Sequence, residues 1–168
     1  MSLRHDVVDA VAFHPAVARW FETTFPQGPS APQRQGWPKV AAGRSTLIAA
    51  PTGSGKTLAG FLMCINRLYL DHLSGRSTAG ARVAYVSPLK ALAVDIAENL
   101  ERPLSEIAEM STAMGLGAPD LTIGVRTGDT TASERAAMVR RPPTFVVTTP
   151  AEVREVRDLV EAIGTTRA

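Results

Sequence analysis

The residues of this chain best suited to chemistry lie in one short run, Ala50-Pro-Thr-Gly-Ser-Gly-Lys-Thr57. A small residue, four further positions and then Gly-Lys-Thr stand between a β-branched run and an apolar helical run. A phosphate-binding loop requires that setting. Gly53 and Gly55 let the backbone wrap close to an anion, and the free N–H groups at the start of the next helix point at it. In that role Thr52, Gly53, Ser54 and Gly55 cradle the phosphates of a nucleoside triphosphate. Lys56 and Thr57 are the candidate catalytic residues. Lys56 neutralises the β and γ phosphates, and the Thr57 hydroxyl holds Mg²⁺, which needs hard oxygen ligands. Position 50 is Ala where the general pattern has Gly. The plainer alternative is a Gly-rich turn between a strand and a helix.

Gln33 lies upstream of this loop. An amide can bond both N6 and N7 of adenine and so select ATP over GTP. From spacing alone, a solvated glutamine on a helix is the better reading. The lysines are few, Lys39, Lys56 and Lys90, and nearly all other positive charge is arginine. Ser87-Pro88 and Thr149-Pro150 each set a hydroxyl before a proline at the expected end of a strand. Such a pair caps a helix or offers a phosphate-binding end.

These residues need elements to hold them. Helices are expected over 14–24 and 32–42, the second stopped by Gly43. A first strand over 45–49 leads into the phosphate loop, and an apolar helix runs from it to about Leu73. A loop over 73–81 precedes a strand over 82–86. Residues 89–110 read as helix, divided at Pro103. A loop over 111–120, a strand over 121–125, a helix over 131–140 and a strand over 144–148 follow. The helix over 131–140 opens with the capping box Thr131-Ala-Ser-Glu134. A last helix opens with a second such box, Thr149-Pro-Ala-Glu152, and lines up Val153, Val156, Leu159, Val160 and Ile163 on one face. Strands alternating with helices predict an α/β fold, a mainly parallel sheet flanked by helices.

The chain has 168 residues, 45% of them hydrophobic and 20% charged, with a formal net charge of +2. That suits one globular domain with a real core. The charge permits a nucleic-acid partner without arguing for one. Cys64 has no second cysteine to pair with, which excludes a disulfide framework and fits a reducing, cytoplasmic setting. No stretch approaches the roughly 20 apolar residues of a membrane span, so no membrane partner is expected. His5, His14 and His72 lack metal-site spacing and read as surface or capping residues. Trp20 and Trp37 read most simply as packing residues of the N-terminal helices, although an aromatic near Gln33 could also stack on adenine.

Phe13-His-Pro-Ala-Val-Ala-Arg-Trp20, Pro32-Gln-Arg-Gln-Gly-Trp-Pro38, the phosphate loop, Ser87-Pro-Leu-Lys-Ala-Leu92, Thr127-Gly-Asp-Thr130 and Thr148-Thr-Pro150 occur in this order. The set resembles the N-terminal RecA-like domain of superfamily 2 DEAD/DEAH-type helicases, and most of all the bacterial large helicase-related (Lhr-type) helicases. The resemblance implies a P-loop NTPase core that binds ATP and Mg²⁺. It gives Gln33 the adenine-reading role and places residues 87–92 in a motif that touches a nucleic-acid backbone. Ser87, Pro88, Lys90, Thr127, Gly128, Thr148 and Thr149 then become nucleic-acid-binding candidates, with single-stranded or duplex DNA ahead of RNA. Lys90 stands in the first turn of its helix, where the dipole disfavours a cation, so an anionic ligand nearby is expected. On this reading, residues 1–44 are N-terminal helices with the adenine-reading motif. Residues 45–150 are an incomplete RecA-like core, and 151–168 are a helical tail.

Phosphoryl transfer also needs a carboxylate for Mg²⁺ and another to orient water. The family's acidic box supplies both, and these residues contain no Asp-Glu dipeptide. The stretch Ala91-Leu-Ala-Val-Asp95 sits inside a helix and is rejected as a substitute. The expectation is therefore the ATP-binding part of a helicase, deficient in hydrolysis alone, with a second RecA-like domain or partner chain missing. The alternative is a truncated remnant that binds without turnover. Without the acidic-box strand, the strand over 45–49 is expected to have an open edge and exposed apolar side chains.

Overall fold

The computed structural model describes residues 11–154 and 156–157. The chain forms two compact units, Met1–Arg76 with Glu106–Ala118, and Ser77–Ser105 with Pro119–Ala168.

The first unit is helical. Helix α1 spans Pro15–Thr24, α2 spans Ala31–Ala41 and α3 spans Lys56–Leu73. His14 caps α1: its Nδ1 accepts from the Ala16 N–H at 3.2 Å, and Pro15 occupies the first turn, where its missing N–H costs nothing. The capping role expected for His14 is what the structure shows. Trp37 is fully buried and its indole N–H donates to the Ala59 carbonyl at 3.1 Å, tying α2 to α3. The Phe13 and Phe21 rings meet Trp37 edge-on, at centroid distances of 5.2 and 5.1 Å. Trp20 is buried too, and donates to a Glu106 carboxylate oxygen at 2.7 Å. Both tryptophans are packing residues, as expected. Along α3, Ala59, Leu62, Met63, Ile65, Asn66 and Tyr69 are buried, and burial pushes the Tyr69 phenol up to about 12.

The expected strand over 45–49 does not form. Residues 44–51 have no regular structure, and Leu47 is 93% exposed. A parallel strand is held only by ladder hydrogen bonds to a neighbour. Among the described residues no strand lies alongside this run, so its β-branched composition has nothing to act on. The exposed apolar side chain was anticipated; the strand itself was not realised.

The second unit holds a three-stranded parallel sheet, β1 (Val83–Val86), β2 (Ile123–Arg126) and β3 (Phe145–Thr148), in the order β1-β3-β2. Val83 and Ile123 both pair with Phe145, and Val86 and Arg126 both pair with Thr148. The strands therefore end level with one another. Central β3 is buried along its whole length, and Phe-Val-Val reads as the continuous apolar run such a strand needs. In β2, Gly124 is required by space: a β-carbon there would lie 2.6 Å from Pro143 Cγ.

Helix α4 spans Lys90–Ala113 and is not divided at Pro103. Ala93, Ile96, Ala97, Leu100, Leu104 and Ile107 are buried along it, on one helical face. That continuous burial outweighs the single hydrogen bond a proline removes. Helix α5 spans Ala132–Arg140 and has the expected capping box: the Thr131 N–H donates to Glu134 Oε2 at 2.8 Å and the Glu134 N–H to Thr131 Oγ1 at 3.3 Å. The Thr131 hydroxyl, donating to Glu134 Oε2 at 2.7 Å, and then the Thr131 N–H hold the Glu134 carboxyl below its usual range. After β3 the chain makes a 3₁₀ turn, Pro150–Glu152. Leu159, Val160 and Ile163 of the expected last helix lie outside the described residues.

Candidate nucleotide loop and nucleic-acid edge

The nucleotide loop belongs to the first unit. Gly53 and Gly55 have φ of 78° and 83°, the left-handed region that favours glycine. They turn the chain so that α3 begins at Lys56, with Gly55 as an N-cap that supplies no side-chain bond. The donors at this helix end are thus left for an anion. Lys56 Nζ folds back and donates to the Pro51 carbonyl at 2.6 Å and to the Ala50 carbonyl. Thr57 is exposed, while the Ser54 hydroxyl is buried without a hydrogen-bond partner.

Gln33 is 4% exposed, which excludes a solvated helix glutamine. Its Oε1 accepts from the Ser30 N–H at 2.8 Å and its Nε2 reaches the Gly55 carbonyl at 3.5 Å. The structure thus brings Gln33 and the loop together, 22 residues apart in sequence. The contact is close enough that a β-carbon on Gly55 would lie 2.8 Å from Gln33 Nε2.

The remaining candidates gather in the second unit at the carboxyl ends of the strands. Ser87 follows β1, Thr127 follows β2, and Thr148 ends β3 with Thr149 after it. Ligands of parallel sheets bind at this edge. Their hydroxyls do not all face outward. Ser87 is buried, its hydroxyl donating to the Leu89 carbonyl at 3.1 Å and its N–H to the Thr148 carbonyl at 2.7 Å. The Thr148 hydroxyl is buried and donates to the Arg126 carbonyl at 2.7 Å. Both therefore hold the edge together rather than presenting a free hydroxyl. Thr149 makes no cap bond, and the expected box with Glu152 is absent. The Glu152 N–H donates instead to the Thr149 carbonyl at 3.0 Å, as the 3₁₀ turn requires, and Glu152 Oε2 accepts from Arg135 Nη1 at 3.0 Å.

Lys90 is exposed and ion-paired with Asp129 at 2.7 Å. The anion expected near this lysine is thus present in the chain itself. Gly128 lies beneath the pair, its β-carbon position 3.2 Å from Lys90 Nζ. Thr127 and Thr130 close a tight turn, with the Thr130 N–H on the Thr127 carbonyl at 3.1 Å and the Thr127 N–H on Thr130 Oγ1 at 2.9 Å. Arg135 holds this turn from behind, and sequence reasoning missed it. Nothing local marks an arginine next to a capping box as the partner of a glutamate 17 residues on. Asp95 is exposed on α4, in keeping with its rejection as an acidic-box residue. Cys64 is half-buried, and burial pushes its thiol up, away from thiolate reactivity. Among the described residues, no group of three or more His, Cys, Asp or Glu is placed to hold a metal.

With this geometry in hand, the chain can be set beside known proteins. The sequence profile of the DEAD/DEAH box helicases matches residues 30–165. The chain belongs to that family. Its relatives include the Lhr helicase/probable uracil glycosylase of Mycolicibacterium smegmatis, 46% identical over 138 residues, covering 82% of this chain and 9% of that protein. The ATP-dependent helicase Lhr-Core protein 2 of Thermococcus barophilus is 44% identical over 134 residues, covering 80% of this chain and 15% of that protein. The structure of Mycobacterium smegmatis helicase Lhr bound to ssDNA and AMP-PNP superposes with a TM-score of 0.74 at 45% identity, over 83% of this chain and 17% of that one. The chain therefore spans about a tenth to a sixth of the length of these relatives. The Lhr-type resemblance read from the motifs holds, and so does the α/β RecA-like helicase fold.

Proposed function

We propose that this chain is the ATP-binding part of an ATP-dependent nucleic-acid helicase. ATP lies on the loop over 50–57, with Lys56 against its β and γ phosphates and Gln33 reading adenine. The observation that carries this reading is the joining of two left-handed glycines, an uncapped helix end and a buried Gln33 in one place. The orphaned Ser54 hydroxyl fits a cradle for phosphate oxygens. Mg²⁺ would arrive with the nucleotide and take the Thr57 hydroxyl as its protein oxygen. ATP entry requires Lys56 to leave the Ala50 and Pro51 carbonyls. A nucleic-acid strand lies along the carboxyl edge of the sheet, DNA ahead of RNA, near Lys90, Gly128 and Thr149. Phosphate contacts of this kind hold a strand without reading its sequence.

Binding of a fluorescent ATP analogue to the full chain, lost in Lys56→Ala, is the expected result. Failure to bind at millimolar nucleotide overturns the proposal. The second reading, binding without turnover, is favoured by the missing Asp-Glu dipeptide, because phosphoryl transfer requires those carboxylates. ATP hydrolysis stimulated by single-stranded DNA and abolished by Lys56→Ala would refute it.

A further inference from the structure

Three guanidinium nitrogens of Arg135 are in use. Nε donates to the Thr130 carbonyl and Nη2 to the Thr127 carbonyl, each at 3.0 Å. Nη1 donates to Glu152 at 3.0 Å. The side chains are mostly withdrawn from water, 26% exposed for Arg135 and 14% for Glu152. Thr127 and Thr130 bound the turn after β2, and Glu152 closes the turn after β3. One planar group therefore spans the two loops that flank the carboxyl edge. Lysine, with its single ammonium, cannot reproduce a three-point fork.

We propose that Arg135 is a positioning residue that locks the turn over 127–130 to the turn over 149–152, so that both present a preset row of groups to a nucleic-acid strand. The proposal rests on the strand-binding reading of this edge. The Glu152 N–H donates to the Thr149 carbonyl at 3.0 Å, so the Thr149 hydroxyl makes no cap bond, while the Glu152 carboxylate is held by Arg135. Preset donors bind more tightly than donors that must be ordered on binding.

The test uses the full chain and Arg135→Ala, Arg135→Lys and Glu152→Gln. Hydrogen exchange reads the lock directly, without any ligand. Amides of 127–130 and 149–152 should exchange faster together in Arg135→Ala, with the phosphate loop unaffected. Unchanged exchange at either turn overturns the lock, whether or not nucleic acid binds. Fluorescence anisotropy with single-stranded DNA reads its purpose. Arg135→Ala should weaken binding by about tenfold, the worth of one or two net hydrogen bonds. The slope of log affinity against log salt should not change. A slope reduced by about 0.7 would make Arg135 a direct phosphate contact and overturn the positioning role. Arg135→Lys should not restore binding, and full rescue would show that charge alone matters. Glu152→Gln, which keeps the shape and removes the charge, should give a smaller loss in the same direction. If wild-type binds no strand but the exchange result holds, the lock stands and the strand-binding reading fails.

Discussion

Gly53 and Gly55 make a matched pair for testing how the nucleotide loop is built. Both have positive φ, 78° and 83°. At Gly53 a β-carbon would meet nothing within 4 Å, whereas at Gly55 it would come within 2.8 Å of Gln33 Nε2. Alanine in the left-handed region costs about 1–2 kcal/mol. The stiffer unfolded chain returns about 0.4–1 kcal/mol of that. Gly53→Ala should therefore destabilise by roughly 0.5–1 kcal/mol. Gly55→Ala must also displace Gln33 from its bond with the Ser30 N–H, at 2.8 Å. That adds about 1 kcal/mol, for a total near 2 kcal/mol. Urea unfolding followed by tryptophan fluorescence measures both, because Trp20 and Trp37 are buried in the unit that holds the loop. In a Gln33→Ala background the cost of Gly55→Ala should fall to that of Gly53→Ala. Equal costs for the two glycines in the wild-type background, or no relief from Gln33→Ala, would refute the reasoning.

Gly124→Ala should destabilise by about 1–3 kcal/mol through overpacking, since its β-carbon would lie 2.6 Å from Pro143 Cγ and 3.1 Å from Met138 Cε; an unchanged circular-dichroism melt would count against this packing. Burial and then the nearby charge of His72 lower the His14 pKa from 6.5, so His14 contributes stability that is present above about 6.5 and lost as pH falls through its folded value. The urea midpoint should therefore drop between pH 7.5 and 5, and His14→Asn, which offers a capping oxygen in place of Nδ1, should flatten that dependence. Asp129→Asn should free Lys90 and strengthen single-stranded DNA binding at low salt, while Lys90→Ala should reduce the salt slope by about 0.7. Identical anisotropy titrations for wild-type and both variants would remove Lys90 from the proposed strand edge.

By itself, the sequence determined the features whose causes are local. Gly53 and Gly55 fall where the backbone must turn left-handed, and the Thr131–Glu134 box forms because both partners lie within one helical turn. His14 and Pro15 open α1 for the same reason. The Phe-Val-Val run of β3 announces a strand covered on both faces. The ordered motifs were enough to indicate the helicase family. Tertiary structure decided what depends on partners far along the chain. Residues 45–49 have strand composition, yet a parallel strand exists only through a neighbour, and none is supplied among the described residues. Pro103 reads as a break, yet the apolar face of α4 carries the helix through it. By spacing alone Gln33 reads as a surface residue, yet the fold buries it against Gly55. The Thr149–Glu152 box is as good in pattern as the one at Thr131, but the Glu152 N–H goes to the Thr149 carbonyl and its carboxylate to Arg135. A hydrogen-bonding side chain takes the best partner the whole fold offers, and sequence spacing reports only those within reach of the next turn.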